Sequence, residues 1–252
     1  MIDARADREI KNIQTTGIIQ ARMNSTRFPK KVMADLLGKP ILWHVVNRIK
    51  KAKLVENVVV ATTVNDADKF ISNWCYENEI PCFRGEEEDV LRRFVKAARA
   101  FDADPIVHIT ADCPLIDYTI IDQVIELFNE NGCDLAANGL PNKRTYPDGL
   151  DTCVVSLDAL SLAELEAKSS YNREHASTYI TERPERFALA NLALEENLSE
   201  VRWTVDYPQD LDNIILMLMH MNLDYEDKDE YYFPTMKEFL KEMSEWPFGG
   251  KN

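Results

Sequence analysis

The sequence predicts an α/β fold in which a mainly parallel, doubly wound sheet carries helices on both faces. Three observations lead to this prediction. Short apolar runs recur along the chain, and segments with the apolar period of a helix separate them. Strands and helices that alternate in this way form right-handed βαβ units. With 252 residues, 45% of them hydrophobic, the chain is also long enough to bury a substantial core.

The elements follow along the chain in order. The apolar runs predict buried strands at Gly17–Gln20, Val58–Thr62, Ile106–Thr110 and Asp134–Ala137, with a further strand at Val201–Val205. The predicted helices are Ile41–Ala52, Asp66–Asn78, Asp89–Phe101, Ile120–Asn131, Pro208–His220 and Pro234–Glu245. Pro40 precedes the first helix, at a position where helices accept proline.

The chain divides into a tail and one domain. Residues 1–16 are charged and aperiodic, which is typical of either a mobile tail or a short surface helix. Residues 17–252 then form a single domain. Between about residues 140 and 198 the pattern becomes irregular and punctuated by proline, so this stretch is predicted to be an inserted subregion.

Composition excludes several classes of partner. The net charge of −14 repels nucleic acids and anionic membrane surfaces. No apolar run approaches the ~20 residues that span a bilayer, and the first residues lack the apolar core of a signal peptide. The five cysteines are scattered and show no C-x-x-C spacing, which is typical of buried thiols in a reducing compartment. We therefore expect a cytoplasmic protein that binds neither nucleic acid nor membrane.

A basic loop stands out on this acidic chain. Between Gln20 and Lys53 there are nine lysines and arginines but a single acid, Asp35. Arg22, Arg27, Lys30 and Lys31 come directly after the first predicted strand. Such a loop suits an anion, although it matches neither the P-loop nor the G-x-G-x-x-G pattern. A solvated surface loop explains the composition equally well.

Two aspartates follow predicted strands, Asp112 after Ile106–Thr110 and Asp206 after Val201–Val205. In open α/β sheets, ligands bind outside the carboxyl ends of the strands. Two carboxylates that face a basic loop there would suit a nucleoside triphosphate with Mg²⁺, which prefers oxygen ligands. The alternatives are a turn residue at Asp112, before Cys113-Pro114, and a helix cap at Asp206, before Tyr207-Pro208.

The loop and several later motifs resemble a known family. Residues 18–33, I-I-Q-A-R-M-N-S-T-R-F-P-K-K-V-M, are similar to the signature loop of the CTP-dependent sugar-acid cytidylyltransferases, which include the CMP-KDO and CMP-sialic acid synthetases. The resemblance is closest to the SpsF type, from spore-coat polysaccharide synthesis. Supporting motifs include I-T-A-D-C-P-L-I-D at 109–117, T-Y-P-D-G-L-D at 145–151 and R-E-H at 173–175. Two departures are Lys30 and Ala111, where the family usually has glycine.

The resemblance implies a Rossmann-like fold of the nucleotide-diphospho-sugar transferase type. It also implies transfer of CMP from CTP to an acidic sugar or related acceptor, such as a sugar phosphate or phosphonate, with release of pyrophosphate. Activated sugars of this kind serve surface polysaccharide biosynthesis. A family member would be expected to form a homodimer through part of the inserted subregion.

The resemblance also assigns roles to residues. Arg22, Arg27 and Lys31 would bind the triphosphate, with Arg22, Lys31, Asp112 and Asp206 as the catalytic residues. Mg²⁺ would be held by Asp112 and Asp206. The nucleotide would further contact Ala21, Ala61, Thr62, Arg84 and Ala111. The acceptor would bind Tyr146, Asp148, Asp151, Arg173 and His175. From the residues alone, His175 is a lone histidine and is equally explained as a packing or surface residue.

Two other functions share this kind of fold. A GT-A glycosyltransferase would normally show a D-x-D metal motif after a strand, and Asp112-Cys113-Pro114 lacks the second aspartate. A nucleotide sensor without catalytic activity would not need both carboxylates. We therefore favour the cytidylyltransferase and retain the glycosyltransferase as the alternative.

Overall fold

The structure, a computed structural model, describes residues 14–225 and 231–245. In chain order its strands are β1 (Gln14–Gln20), β2 (Asp35–Leu36), β3 (Lys39–Pro40), β4 (Asn57–Thr63), β5 (Cys82–Gly85), β6 (Ala103–Thr110), β7 (Leu135–Ala137), β8 (Cys153–Val155) and β9 (Leu189–Asn191). The α-helices are α1 (Ile41–Lys50), α2 (Lys69–Glu77), α3 (Val90–Ala100), α4 (Tyr118–Asn131), α5 (Leu157–Glu166), α6 (Ser170–Glu174), α7 (Thr178–Thr181), α8 (Pro208–His220) and α9 (Met236–Glu245). Short 3₁₀ turns span Lys31–Met33 and Asp66–Asp68.

Seven of these strands form one mixed sheet in the order β5-β4-β1-β6-β8-β7-β9. The pairs β5–β4, β4–β1, β1–β6 and β7–β9 are parallel, whereas β8 runs antiparallel to both of its neighbours. The remaining two strands, β2 and β3, form a small separate hairpin. The prediction of a mainly parallel α/β sheet is therefore confirmed.

The sheet is covered on both faces, because neighbouring residues of its central strands enter different cores. Ile19 of β1 packs in the cluster that contains α1, α4 and α8, while Ile18 packs with α3, α5 and α7. This alternation follows from the period of two in a strand. Gly17 permits the close approach of α1, since a Cβ at this position would lie 2.8 Å from Cγ2 of Ile49.

Several boundaries differ from the sequence prediction. Strand β1 begins at Gln14, so residues 14–16 belong to the sheet, and the rest of the predicted tail lies outside the described residues. The last helix begins at Met236 and not at Pro234. The subregion predicted to be irregular contributes two strands, β8 and β9, to the main sheet. It also contains the short helices α5, α6 and α7. It is therefore built into the sheet and covers one end of it.

The predicted strand at Val201–Val205 is wrong. This segment forms only an isolated bridge between Arg202 and Asp148. Its backbone bonds go to loops, because the N–H of Trp203 donates to the carbonyl of Asp148 at 2.7 Å and that of Val205 to the carbonyl of Asp112 at 2.8 Å. Gly149 has φ +102, and a Cβ there would lie 2.6 Å from the backbone of Trp203 and Thr204. The segment is thus held between two loops at the edge of the sheet.

A buried aspartate fixes the C-terminal helix to the body of the domain. Asp117, 1% exposed, caps α4 by accepting from the N–H and hydroxyl of Thr119, both at 2.7 Å. Its other oxygen accepts the N–H of Met236, at the start of α9, at 2.5 Å. Among the described helices, none has both the length and the apolar composition needed to cross a membrane.

Candidate active site

The carboxyl ends of β1 and β6 open into a cleft of about 670 Å³. The basic loop that follows β1 forms one wall, and the loop at 138–141 together with the segment from α6 to α7 forms another. The cleft is lined by three of the predicted cationic residues and three of the predicted acidic ones, namely Arg22, Arg27, Lys31, Asp112, Asp151 and Asp206. Because β1 and β6 are parallel neighbours, their following loops meet at the same edge of the sheet.

The basic loop is anchored from behind by a buried carboxylate. Asp68 is 0% exposed and accepts the backbone N–H of Met23 at 2.6 Å. It also accepts the hydroxyl of Thr63, at the end of β4. Within the loop, the N–H of Lys30 donates to the carbonyl of Met23 at 2.9 Å. These bonds fix the backbone on which Arg22 and Arg27 are carried.

The Lys31 ammonium lies between the two predicted carboxylates. Its Nζ donates to Oδ2 of Asp112 at 2.8 Å and to Oδ1 of Asp206 at 3.0 Å. A third bond goes to the carbonyl oxygen of Val205 at 2.9 Å. The two carboxylate oxygens are therefore no further apart than these two bonds together. Lys31 is only 8% exposed, so its charge is largely removed from water.

Arginines add further positive charge around Asp206. Arg27 contacts Oδ1 of Asp206 at 2.5 Å, and Arg202 contacts its Oδ2 at 2.8 Å. Burial raises the pKa of this carboxyl, but the hydrogen bonds from Arg202 and Lys31 outweigh it and leave the pKa of Asp206 below its usual value. Asp206 is thus an ionised carboxylate at neutral pH.

The paired carboxylates set a limit on any metal site. Among the described residues there is no cluster of three or more His, Cys, Asp and Glu side chains that could hold a metal ion alone. Two adjacent carboxylates still fit Mg²⁺, which proteins often hold by one or two carboxylates while substrate phosphates supply further oxygens. The donor set therefore suits a metal that is shared with a phosphate ligand.

Most of the remaining predicted nucleotide contacts do not line the cleft. Ala21 is 1% exposed and its N–H donates to the carbonyl of Ala61 at 3.3 Å, while Ala61 and Thr62 are fully buried in β4. Arg84 donates to the carbonyl oxygens of Thr63 at 3.0 Å and Asn65 at 2.8 Å, which holds the loop after β4 in place. Of this group only Ala111 lines the cleft.

The predicted acceptor residues separate into two groups. Asp151 and His175 line the cleft, with Arg144 2.5 Å from Oδ1 of Asp151. Burial raises the pKa of Asp151 although Arg144 opposes this effect. Asp148 stands beside the cleft in ion pairs with Arg144 at 3.3 Å and Arg202 at 2.9 Å.

Tyr146 and Arg173 are not brought to the cleft. Tyr146 is 4% exposed and packs in the hydrophobic core. Arg173 turns the other way, donating to Oδ2 of Asp89 at 2.6 and 3.1 Å and to the carbonyl of Glu164 at 2.6 Å. These bonds anchor α6 to the start of α3, which caps with the same Asp89. The structure thus places Arg173 as a structural anchor, contrary to the expected acceptor contact.

Several cleft residues were not predicted. His108 and Thr110 lie on β6 two positions apart, so they face the same side of the sheet. Their spacing within the predicted strand Ile106–Thr110, which leads to Asp112, could have indicated them. Arg144 and Arg202 reach the site from loops, and the sequence carries no periodic signal for them.

Lys30 shows why its position favours glycine. Its φ of 64° and ψ of 14° lie in the left-handed region, which side chains with a Cβ rarely adopt. The side chain is exposed, in contrast to that of Lys31 next to it. The two neighbouring lysines therefore have different environments, and only Lys31 lies against the carboxylates.

The amino-acid sequence is similar to one protein family over most of its length. The sequence model of the family described as cytidylyltransferase matches residues 16–237. An uncharacterized protein of Methanocaldococcus jannaschii is 35% identical over 209 residues, covering 82% of this chain and 84% of its own. The spore coat polysaccharide biosynthesis protein SpsF of Bacillus subtilis is 30% identical over 208 residues, covering 78% and 83%. A 3-deoxy-manno-octulosonate cytidylyltransferase of Trichlorobacter lovleyi is 40% identical over 121 residues, which is 47% of this chain and 46% of the relative.

Solved structures give the same fold. A cytidylyltransferase from Leptospira borgpetersenii superposes with a TM-score of 0.82 at 29% identity, covering 92% of this chain and 94% of its own. CMP:2-keto-3-deoxy-manno-octonic acid synthetase in complex with CTP superposes with a TM-score of 0.63 at 16% identity, covering 83% and 100%. The second likeness concerns the fold alone.

Proposed function

The chain belongs to the cytidylyltransferase family and is a CTP-dependent nucleotidyltransferase, and from this we propose that it transfers CMP from CTP to an acidic sugar or a related phosphate or phosphonate. An acceptor oxygen forms a bond to the α-phosphorus of CTP, the bond to the β-phosphate oxygen breaks, and pyrophosphate leaves. The observation that carries the proposal is the cleft in which Lys31 joins Asp112 and Asp206 beside a basic loop.

The basic loop supplies the positive charge that this reaction needs. Phosphoryl and nucleotidyl transfer depend on placement and charge neutralisation more than on covalent help from the protein. Arg27 keeps half of its side chain exposed, and its planar fork suits phosphate oxygens. Lys31 offers a point charge that is already fixed at the carboxylates. We infer that both exchange carboxylate oxygens for phosphate oxygens when CTP enters.

Asp112 and Asp206 would hold Mg²⁺ together with the triphosphate. The ion supplies charge that stabilises the developing charge on the phosphate oxygens. Asp206 is suited to this role because its arginine neighbours keep it ionised. Asp112 keeps 26% of its side chain exposed and borders the cleft, so its carboxylate is accessible to a ligand.

The acceptor would enter from the side of the inserted subregion. Asp151 and His175 line this part of the cleft, and the relatives named for spore coat polysaccharide and for 3-deoxy-manno-octulosonate support a sugar-derived acceptor. A homodimer formed through the inserted subregion and a role in surface polysaccharide biosynthesis belong to the same proposal.

Pyrophosphate release tests the proposal. The purified protein is incubated with Mg²⁺, each of the four nucleoside triphosphates, and a panel of sugar acids, sugar phosphates and phosphonates that begins with 3-deoxy-manno-octulosonate. We expect release that requires both CTP and one acceptor class, with the CMP-acceptor adduct identified by mass spectrometry. In a parallel incubation with nucleotide sugars in place of the triphosphates, sugar transfer without pyrophosphate release would instead support the glycosyltransferase. Absence of both reactions across the panel would refute the proposed activity.

A further inference from the structure

A histidine that lines the cleft has a ring nitrogen for which the described residues supply no hydrogen-bond partner. His108 lies in β6, opposite Ile18 of β1 and Cys153 of β8. It lines the cleft, and its Nε2 is buried with no hydrogen-bond partner among the described residues. Buried polar atoms in folded proteins nearly always have a partner. An orphan nitrogen that borders a ligand cleft therefore indicates that a ligand supplies the missing bond.

His44, which is 1% exposed, shows what a structural role looks like for a histidine in this protein. The Nε2 of His44 lies 2.8 Å from the carbonyl oxygen of Leu36, so its hydrogen-bonding need is met inside the chain. Burial lowers the pKa of His44 to about 3 and that of His108 to about 4. Both imidazoles are thus neutral at neutral pH. They differ in that His108 borders the cleft and its Nε2 has no hydrogen-bond partner within the described part of the chain.

The position of the His108 ring is fixed by packing. Its centroid lies 4.2 Å from that of Phe94 on α3, at a tilt of 59°. Arg93 and His175 are the charged or titratable groups that act on it through space, and each lowers its pKa further. A fixed, neutral ring has one donor and one acceptor nitrogen, so in either tautomer its Nε2 can hydrogen-bond a hydroxyl group, which both donates and accepts.

The lining of the cleft is mixed in character. Beyond Thr110, where β6 ends, Asp112 and Lys31 meet. Small, apolar or hydroxyl-bearing residues also line the cleft, namely Leu135, Ala137, Cys153, Ser177, Thr178 and Thr181, and Cys153 is the β8 neighbour of His108. Charged and titratable side chains line it as well, among them Glu174 and His175. A ligand beside His108 can therefore meet hydroxyl-bearing and apolar groups as well as charged ones.

We propose that His108 is a specificity-determining residue whose Nε2 hydrogen-bonds a neutral hydroxyl group of the acceptor, on the part of the acceptor that lies away from the reacting oxygen. The hydroxyl-bearing body of the acceptor then lies at His108, and its negative charge lies near the basic loop. This inference rests on the proposed function, because it needs an acceptor that is bound beside CTP.

The test combines variants of His108 with acceptors that each lack one hydroxyl group. His108→Phe removes both ring nitrogens but keeps the packing on Phe94, and His44→Phe is the matched control. The acceptor is the best member of the panel, and its monodeoxy analogues are compared by kcat/KM. CTP affinity is measured by calorimetry and unfolding by thermal melting.

We expect His108→Phe to lower kcat/KM for the full acceptor by roughly tenfold, the effect of one lost hydrogen bond in a dry site. On one monodeoxy analogue the variant should match the wild type, because the bond partner is missing there already. CTP affinity should not change, and the melting temperature should hold or rise because an orphan polar atom has been removed. His44→Phe should lower the melting temperature without any preference among the analogues.

Other outcomes overturn the inference. A uniform fall in kcat/KM on every analogue, or a loss of CTP affinity, would place His108 in the packing of the site and not in acceptor recognition. Unchanged kinetics in an active enzyme would refute the role of His108 while leaving the proposed function intact. If the wild type releases no pyrophosphate with any acceptor, the proposed function fails and this inference fails with it.

Discussion

Truncation of Lys31 should both slow the reaction and destabilise the protein. In Lys31→Ala the ammonium that bridges Asp112 and Asp206 is lost, together with its bond to the carbonyl of Val205. One preorganised charge contact at a transition state contributes roughly 3–4 kcal/mol, so kcat/KM with CTP should fall by about 10²–10³-fold. The measurement is pyrophosphate release at saturating acceptor.

The loss of folding stability in Lys31→Ala depends on how exposed its two carboxylate partners are. Breaking a fully buried ion pair costs about 3–5 kcal/mol, because the remaining charge is left without a partner. Here the side chains of Asp112 and Asp206 are 26% and 15% exposed to solvent. In the variant, Arg27 and Arg202 still contact Asp206. We therefore expect a smaller loss of roughly 1–3 kcal/mol in the free energy of unfolding, measured by urea denaturation. Lys31→Met, which keeps the apolar length, should lose as much activity as Lys31→Ala.

The neighbouring lysine provides the control. Lys30 is exposed and adopts a φ of 64°, which glycine adopts without strain. Lys30→Gly should therefore leave kcat/KM within a few fold and change the free energy of unfolding by at most about 1 kcal/mol. If Lys30→Gly and Lys31→Ala lower kcat/KM equally, the assignment of Lys31 as the lysine that faces the phosphates is refuted.

Three further predictions concern the acceptor, the metal and the loop anchor. His175→Ala should raise the KM for the acceptor or abolish the reaction with it. Calorimetry should find the CTP affinity of the variant within about twofold of the wild type, and a large loss of CTP affinity would instead place His175 in the nucleotide site. EDTA should abolish pyrophosphate release, and Mg²⁺ or Mn²⁺ should restore it. Asp112→Asn should lose nearly all turnover. Activity that survives EDTA would rule out a metal-dependent step. Asp68→Asn and Asp117→Asn each replace a buried carboxylate that accepts a distant backbone N–H and a threonine hydroxyl, so both melting temperatures should fall. That of Asp117→Asn should fall at least as far, because Asp117 also accepts the N–H of Thr119. Only Asp68→Asn should also lower kcat, because only Asp68 holds the basic loop, and equal kinetic effects would contradict this.

The sequence predicted the central sheet well because its strands are buried on both faces. The run Val58–Thr62 is apolar except for its final threonine, and the structure extends it only to Asn57–Thr63. The strands β8 and β9 have three residues each, too few for a period to appear. Val201–Val205 has the composition of a strand, but its backbone partners are loops, which a local pattern does not reveal.

The site was predictable where it depends on strand ends. Asp112 follows β6 as expected, and the loop after β1 brings Lys31 against it. Asp206 reaches the same point although the segment before it is not a strand, because Val205 is bonded to the backbone of Asp112. The direction of Arg173 was not predictable, since its partner Asp89 lies 84 residues away.

The bridging position of Lys31 has a consequence for the order of binding. Two carboxylates this close repel each other unless a cation lies between them, and the ammonium already supplies that cation. A divalent ion that arrives alone must therefore displace Lys31 and leave a largely buried ammonium without its partners. A triphosphate that arrives with the ion offers Lys31 new oxygen partners at the moment when the carboxylates become free. This exchange of partners therefore favours joint entry of CTP and the metal ion. It also explains why a chain with a net charge of −14 has a largely buried lysine beside the cleft.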